Sequence, residues 1–159
     1  MTEGKSNQKK EETELKTFTV PFAQRVIKES ITSTTHVSSK PSKPSKEQII
    51  NQAFKFHSEG NIQEAEKYYQ LFINQGFKDH IVFSNYGVIL KNLGKLEEAE
   101  LLYRKAIELK PNFAEAHTNL GNILKDISKV EEAELSLRKA IELNPNYAEA
   151  HYNLGVILK

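Results

Sequence analysis

The sequence has no cysteine and no tryptophan, and its single methionine is residue 1. Without cysteine there is no disulfide framework, no thiolate metal site and no cysteine nucleophile. Net charge is nearly absent: 22 Lys and Arg stand against 21 Asp and Glu. Such a balance sets up no broad field for nucleic acid or a lipid surface. No apolar run approaches the ~18 residues of a membrane-spanning helix. The opening MTEGKSNQKKEETELK lacks the apolar core of a secretory signal. HExxH, GxSxG and a Gly-rich turn after a strand are missing. GVILKNLGKL (87–96) is no phosphate loop, because Leu96 stands where Ser or Thr must hold Mg²⁺. The expectation is a cytoplasmic protein of one domain, or one domain and a tail, without metal or cofactor.

What charge there is lies unevenly. Residues 1–45 hold eight basic and five acidic residues; 46–159 hold fourteen and sixteen. The first part is rich in Ser, Thr and Lys, and ITSTTHVSSKPSKPSK (31–46) has no helical period. It cannot bury enough apolar surface to offset its ordering entropy, so 1–45 reads as a disordered polar tail. Phe18, Val20, Phe22, Val26 and Ile27 cluster within it, as a docking motif or an apolar patch.

From Lys46 onward the chain repeats itself. Residues 80–113 match 114–147 at 19 of 34 positions, and 111–125 match 145–159 at 12 of 15. A weaker copy, 46–79, precedes them, and 148–159 begins a fourth. Each unit carries two apolar stripes of helical spacing: Val82, Tyr86, Ile89, Leu90 and Leu93, then Leu96, Ala99, Leu102 or Tyr103, Ala106 and Leu109. Gly60 and Gly94 punctuate the hairpins, where a C-cap favours φ > 0, and Ser128 takes that place in the third unit. Pro111 and Pro145 stop the second helices. Gly87, Gly121 and Gly155 recur mid-helix, where Gly costs about 1 kcal/mol against Ala. A cost repeated in register implies close approach of the partner helix, with Ala99 and Ala133 facing the glycines.

A 34-residue helix hairpin with these small residues resembles the tetratricopeptide repeat (TPR) family. The signature is Gly87, Ala99, Ala106 and Pro111 in one unit and Gly121, Ala133, Ala140 and Pro145 in the next. The family's common early aromatic is replaced by Ile49, Phe83, His117 and His151. The resemblance covers 46–159 and implies an all-α right-handed superhelix, with first helices lining a concave groove. The units are also similar to the superhelix of O-GlcNAc transferase, which presents an asparagine ladder to extended polypeptide.

Opposite the core stripe of the first helices lie Ile81, Ser84, Asn85, Val88 and Asn92. Asn51, Asn85, Asn119 and Asn153 recur there at a spacing of 34. Helix propensity asks for no Asn mid-helix, and its amide pairs well with peptide backbone. Helices ~10 Å apart would meet an extended chain about every three residues. The row either binds peptide or bonds the neighbouring helix. Asn122, Ser84, Thr118 and Tyr152 join it as groove positions, and Lys91, Lys125 and Lys159 form a second row at the edge. A Lys row attracts acidic partners or is a solvated face. The chaperone-tail carboxylate clamp of some family members needs more Lys and Arg than this groove supplies. His117 and His151 read as packing residues, since helices ~10 Å apart do not bring both to one ion.

Two functions follow. The first is a non-enzymatic interaction scaffold whose partner is a protein or extended peptide, with no nucleic acid and no membrane partner. The second is the targeting arm of a larger enzyme, with a C-terminal glycosyltransferase, sulfotransferase or oxygenase domain in a longer parent chain. Leu154, Ile157 and Leu158 in the last helix suit a further helix packed on them.

Overall fold

The computed structural model describes residues 43–159. These form seven α-helices and no strand: α1 Lys46–Ser58, α2 Ile62–Asn74, α3 His80–Asn92, α4 Leu96–Leu109, α5 Ala114–Asp126, α6 Val130–Leu143 and α7 Ala148–Ile157. The helix-hairpin solenoid expected from the period is the architecture found. The expected tail, with its Phe18–Ile27 cluster, lies outside the described residues except for 43–45. None of the described helices is long and apolar enough to cross a membrane.

Local chemistry sets the helix ends. Ser45 and Gln48 form a reciprocal capping box at α1, the Ser45 Oγ accepting from the Gln48 N–H at 3.2 Å. Asn61 caps α2, and Asp79 caps α3 by accepting from the Ile81 and Val82 N–H groups. The later helices have no side-chain cap, but Glu97, Glu98, Glu131 and Glu132 place negative charge in the first turns of α4 and α6. Between the helices of a hairpin, Gly60 and Gly94 take φ of 72° and 74°, and Ser128 takes 64°.

Each hairpin closes on itself and then on the next. Tyr69, Phe72, Ile89, Tyr103, Ile123 and Leu137 are fully buried along the seams. Each contributes roughly 1.5–3 kcal/mol relative to an exposed side chain. The mid-helix glycines do permit close approach, to the Ala133 backbone at Gly121 as expected, but chiefly to larger side chains beyond the alanines. A Cβ on Gly87 would lie 2.8 Å from the Tyr103 ring, and one on Gly121 would lie 2.6 Å from Leu137 Cγ. The larger side chain one turn beyond each alanine fills most of the notch, and the Ala133 carbonyl oxygen lies 3.2 Å from the Gly121 position beside it.

The stack bends. Helix α3 meets α5 and α5 meets α7, whereas the second helices α2, α4 and α6 do not pack on one another in that way. First helices therefore line the inner side. Across the outer side, long charged side chains span the gap: Lys95 to Glu66 and Lys129 to Glu100, both at 2.9 Å, and Arg104 to Glu132 at 2.6 Å.

Candidate functional site

The inner face is built from α1, α3, α5 and α7. Beneath it, in the core, lies one fully buried side chain per unit from the second helices: Tyr69, Tyr103 and Leu137, spaced by 34. Tyr69 is fully satisfied. Its hydroxyl is hydrogen-bonded to His57 Nδ1 at 3.0 Å, and its ring stacks on Tyr86 at 5.4 Å. Burial drives its pKa far up, and the polar Asn85 side chain nearby pulls back against that rise. Burial also lowers His57, favouring the neutral ring.

Tyr103 is different. Its hydroxyl is buried and has no hydrogen-bond partner among the described residues. The place equivalent to His57 is held by Lys91, which makes no bond to it. Burial, then the carboxylates of Glu115 and Glu149, push the Tyr103 hydroxyl well above its ordinary range. The same two carboxylates act, after burial, on Tyr147 and raise it to about 12. Glu115 and Glu149 occupy equivalent places on α5 and α7. The Glu115 carboxyl is raised by desolvation and then by repulsion from Glu149. Glu115 is open to water by surface area yet desolvated, as expected for a group on a concave wall.

The expected asparagine row is unevenly presented. Asn51 is exposed, having no preceding helix against it among the described residues, and Asn119 is partly exposed. Asn85 and Asn153 are only 7% and 8% exposed. Asn122 is equally buried, and its Nδ2 donates to Glu149 Oε1 at 3.3 Å while its Oδ1 has no partner. Ser84 and Thr118, expected on the groove wall, are buried instead at 1% and 0%. Adjacent first helices approach closely enough to cover them, and Thr118 Oγ1 donates back to the Ala114 carbonyl at 3.1 Å. Tyr152 is 73% exposed. Lys91 and Lys125 are partly exposed, Lys125 lying 3.7 Å from Asp126, and Lys159 is exposed.

Glu115 and Glu149 were not among the residues singled out from sequence, and Tyr103 was read only as part of the apolar stripe. A signal existed: Glu115, Asn119 and Asn122 step by four and then three, which places them on one helix face. The histidines prove to be local staples. His117 Nε2 donates to the Pro111 carbonyl at 2.9 Å, and His151 Nε2 to that of Pro145 at 2.8 Å. Among the described residues no group of His, Cys, Asp or Glu is gathered for a metal ion.

A family description, the TPR repeat, matches residues 87–128 and 121–159. No curated protein matches the chain. Among solved structures, the first TPR of Spaghetti (RPAP3), bound to the HSP90 peptide SRMEEVD, is similar with a TM-score of 0.67. It has 23% identity, over 71% of this chain and 90% of its own. YrrB, described as a TPR protein with an unusual peptide-binding site, also gives 0.67, at 23% identity over 71% of this chain and 58% of its own. A Thermobaculum terrenum O-GlcNAc transferase mutant gives 0.64 at 28% identity, over 71% of this chain but only 22% of that enzyme.

Proposed function

We infer, this chain being a tetratricopeptide-repeat protein, that it is a non-enzymatic interaction scaffold holding an extended polypeptide along the inner face of its first helices. The observation that carries this is the line of polar groups there. Asn51 is exposed and Asn119 partly exposed, so their amides are open to the backbone of a ligand. Peptide-bound relatives of the same fold support the reading.

The test separates groove from scaffold. Asn119→Ala removes a partly exposed amide, so an extended peptide of about ten residues should bind roughly 2- to 10-fold more weakly at unchanged melting temperature. Asn85→Ala truncates a buried side chain and should lower the melting temperature. If Asn119→Ala lowers melting and leaves peptide affinity intact, the row is structural and the groove reading fails. A second reading, the targeting arm of an enzyme, is favoured by the likeness to part of the O-GlcNAc transferase. The reading frame beyond Lys159 decides it: a catalytic domain in frame supports the arm.

A further inference from the structure

Helix α7 nearly repeats the sequence of α5, and one face of α5 is covered by α7 itself. On that face Thr118 and Asn122, one turn apart, are buried, and Asn122 Nδ2 donates across to Glu149 Oε1 at 3.3 Å. The same face of α7 carries Tyr152 and Val156, each 34 residues further on. Nothing covers these two among the described residues: Tyr152 is 73% and Val156 43% exposed. Gly155 borders them, and a Cβ there would meet nothing within 4 Å, so another helix can approach closely. An exposed apolar patch rimmed by charge marks an interaction surface.

The rim has an order. At about 100° per residue, Glu149, Tyr152 and Val156 fall on one stripe, and Lys159, two residues beyond the end of α7, continues it. All four are exposed. Neither Glu149 nor Lys159 has an ion-pair partner among the described residues. The level of Leu154 is the midpoint. Tyr152 and Val156 lie two residues to either side of it, and Glu149 and Lys159 lie five. The stripe is therefore its own complement when reversed. A second α7 running antiparallel, turned about a twofold axis at Leu154, sets Tyr152 against Val156 of the other copy and Glu149 against its Lys159, each contact made twice. A parallel second copy would set Glu149 against Glu149 and Lys159 against Lys159, and like charges repel.

We propose that two copies of this chain pair through α7, antiparallel about a twofold axis, with Tyr152 packed on Val156 and Glu149 paired with Lys159. A helix from any other protein would need the same acid, apolar, apolar, base order read backwards, and α7 supplies it. Two faces of one short helix bury about 800–1,200 Å² in total, the low end for a specific interface, so the dimer should be reversible, with a dissociation constant of roughly 10–100 μM. The pairing stands apart from peptide binding in the groove, which engages Asn51 and Asn119.

Sedimentation equilibrium of the full chain from about 5 to 500 μM should show monomer passing to dimer and no further, because an isologous contact closes on itself. Tyr152→Asp should abolish the dimer, while helicity and melting at low concentration hold because the side chain is exposed. Glu149→Lys and Lys159→Glu should each weaken the dimer roughly 5- to 30-fold, by losing two ion pairs and gaining two repulsions. The two changes together, Glu149→Lys/Lys159→Glu, should restore it. Added salt should weaken the wild-type dimer and strengthen those of the single charge variants. A monomer throughout the range overturns the proposal and leaves the face to a helix of another protein. A dimer that survives Tyr152→Asp also overturns it, since the contact then lies elsewhere on the chain. Single charge variants as tight as the wild type, or a double variant no tighter than the singles, overturn the antiparallel pairing.

Discussion

Ser128 sits at φ 64° where the two preceding hairpins have glycine. An L-residue held left-handed crowds its Cβ against its carbonyl, at roughly 1–2 kcal/mol, while Gly does not. Part of that gain is lost because Gly loosens the unfolded chain. Ser128→Gly should therefore raise stability by about 0.5–1 kcal/mol, read as a higher urea midpoint at unchanged slope. The mid-helix glycines give a contrast in sign. At Gly121 a methyl meets Leu137 Cγ at 2.6 Å, whereas at Gly155 nothing lies within 4 Å. Gly121→Ala should destabilise by about 1–3 kcal/mol through overpacking. Gly155→Ala should be neutral or stabilising by up to about 1 kcal/mol from helix propensity. If both changes shift the midpoint alike, the notch is not what selects glycine. That a repeated glycine signals a tight approach was legible in the sequence. Which side chain fills the space was not, because 34-residue periodicity marks Ala99 and Tyr103 equally and only the crossing of the helices decides between them.

Helices that touch are held by packing, but outer helices that diverge are held by charge. Glu100 is the junction, accepting from Arg104 on its own helix and Lys129 of the next. Burial works to raise its pKa, but the Lys129 and Arg104 bonds outweigh it and hold the carboxyl below its ordinary 4.5. A depressed carboxylate stabilises the fold above its unfolded pKa, and the benefit is lost as pH falls from 4.5 through the lower folded value. Glu115 has the opposite sign. Its raised pKa means the folded state binds the proton more tightly, so stability falls as pH rises from 4.5 through the raised value. Thermal melts from acid to neutral pH should show Glu100→Gln losing stability only on the neutral side. There the loss is about 0.5–1 kcal/mol for a bridge with exposed cations, reduced by salt. Glu115→Gln should gain stability on that same side. These roles were half legible: Glu66, Glu100, Lys95 and Lys129 visibly recur at 34, yet a recurring surface charge has the same pattern whether paired or solvated.

For the whole array, order along the chain is nearly order in space, which is why the fold could be read from a period and a few small residues. The groove was harder. Asn122 and Glu149, bonded at 3.3 Å, come from successive units, at a separation no single-helix stripe contains. Their meeting depends on the bend that brings α3, α5 and α7 together. The same bend buries Ser84 and Thr118, which a helical wheel assigns to the open wall. In such a stack, stability is close to a sum of unit terms and nearest-neighbour terms. Helix α7 has neighbours on one side only among the described residues, packing on α6 and α5. Its core contribution is small, with Ala150 and Asn153 buried while Leu158 is 56% and Val156 43% exposed. Local opening free energies follow buried apolar contact, so α7 should open first. Amide exchange should be fastest in Ala148–Ile157 among the seven helices and slowest in α4 and α5, which have neighbours on both sides. A helix copied from α6 and appended after Lys159 should cover Leu154 and Ile157, slow exchange in α7 selectively and raise the melting temperature. Exchange in α7 as slow as in α5 before the addition, or an unchanged melting temperature after it, would mean that nearest-neighbour packing does not set stability at this end of the array.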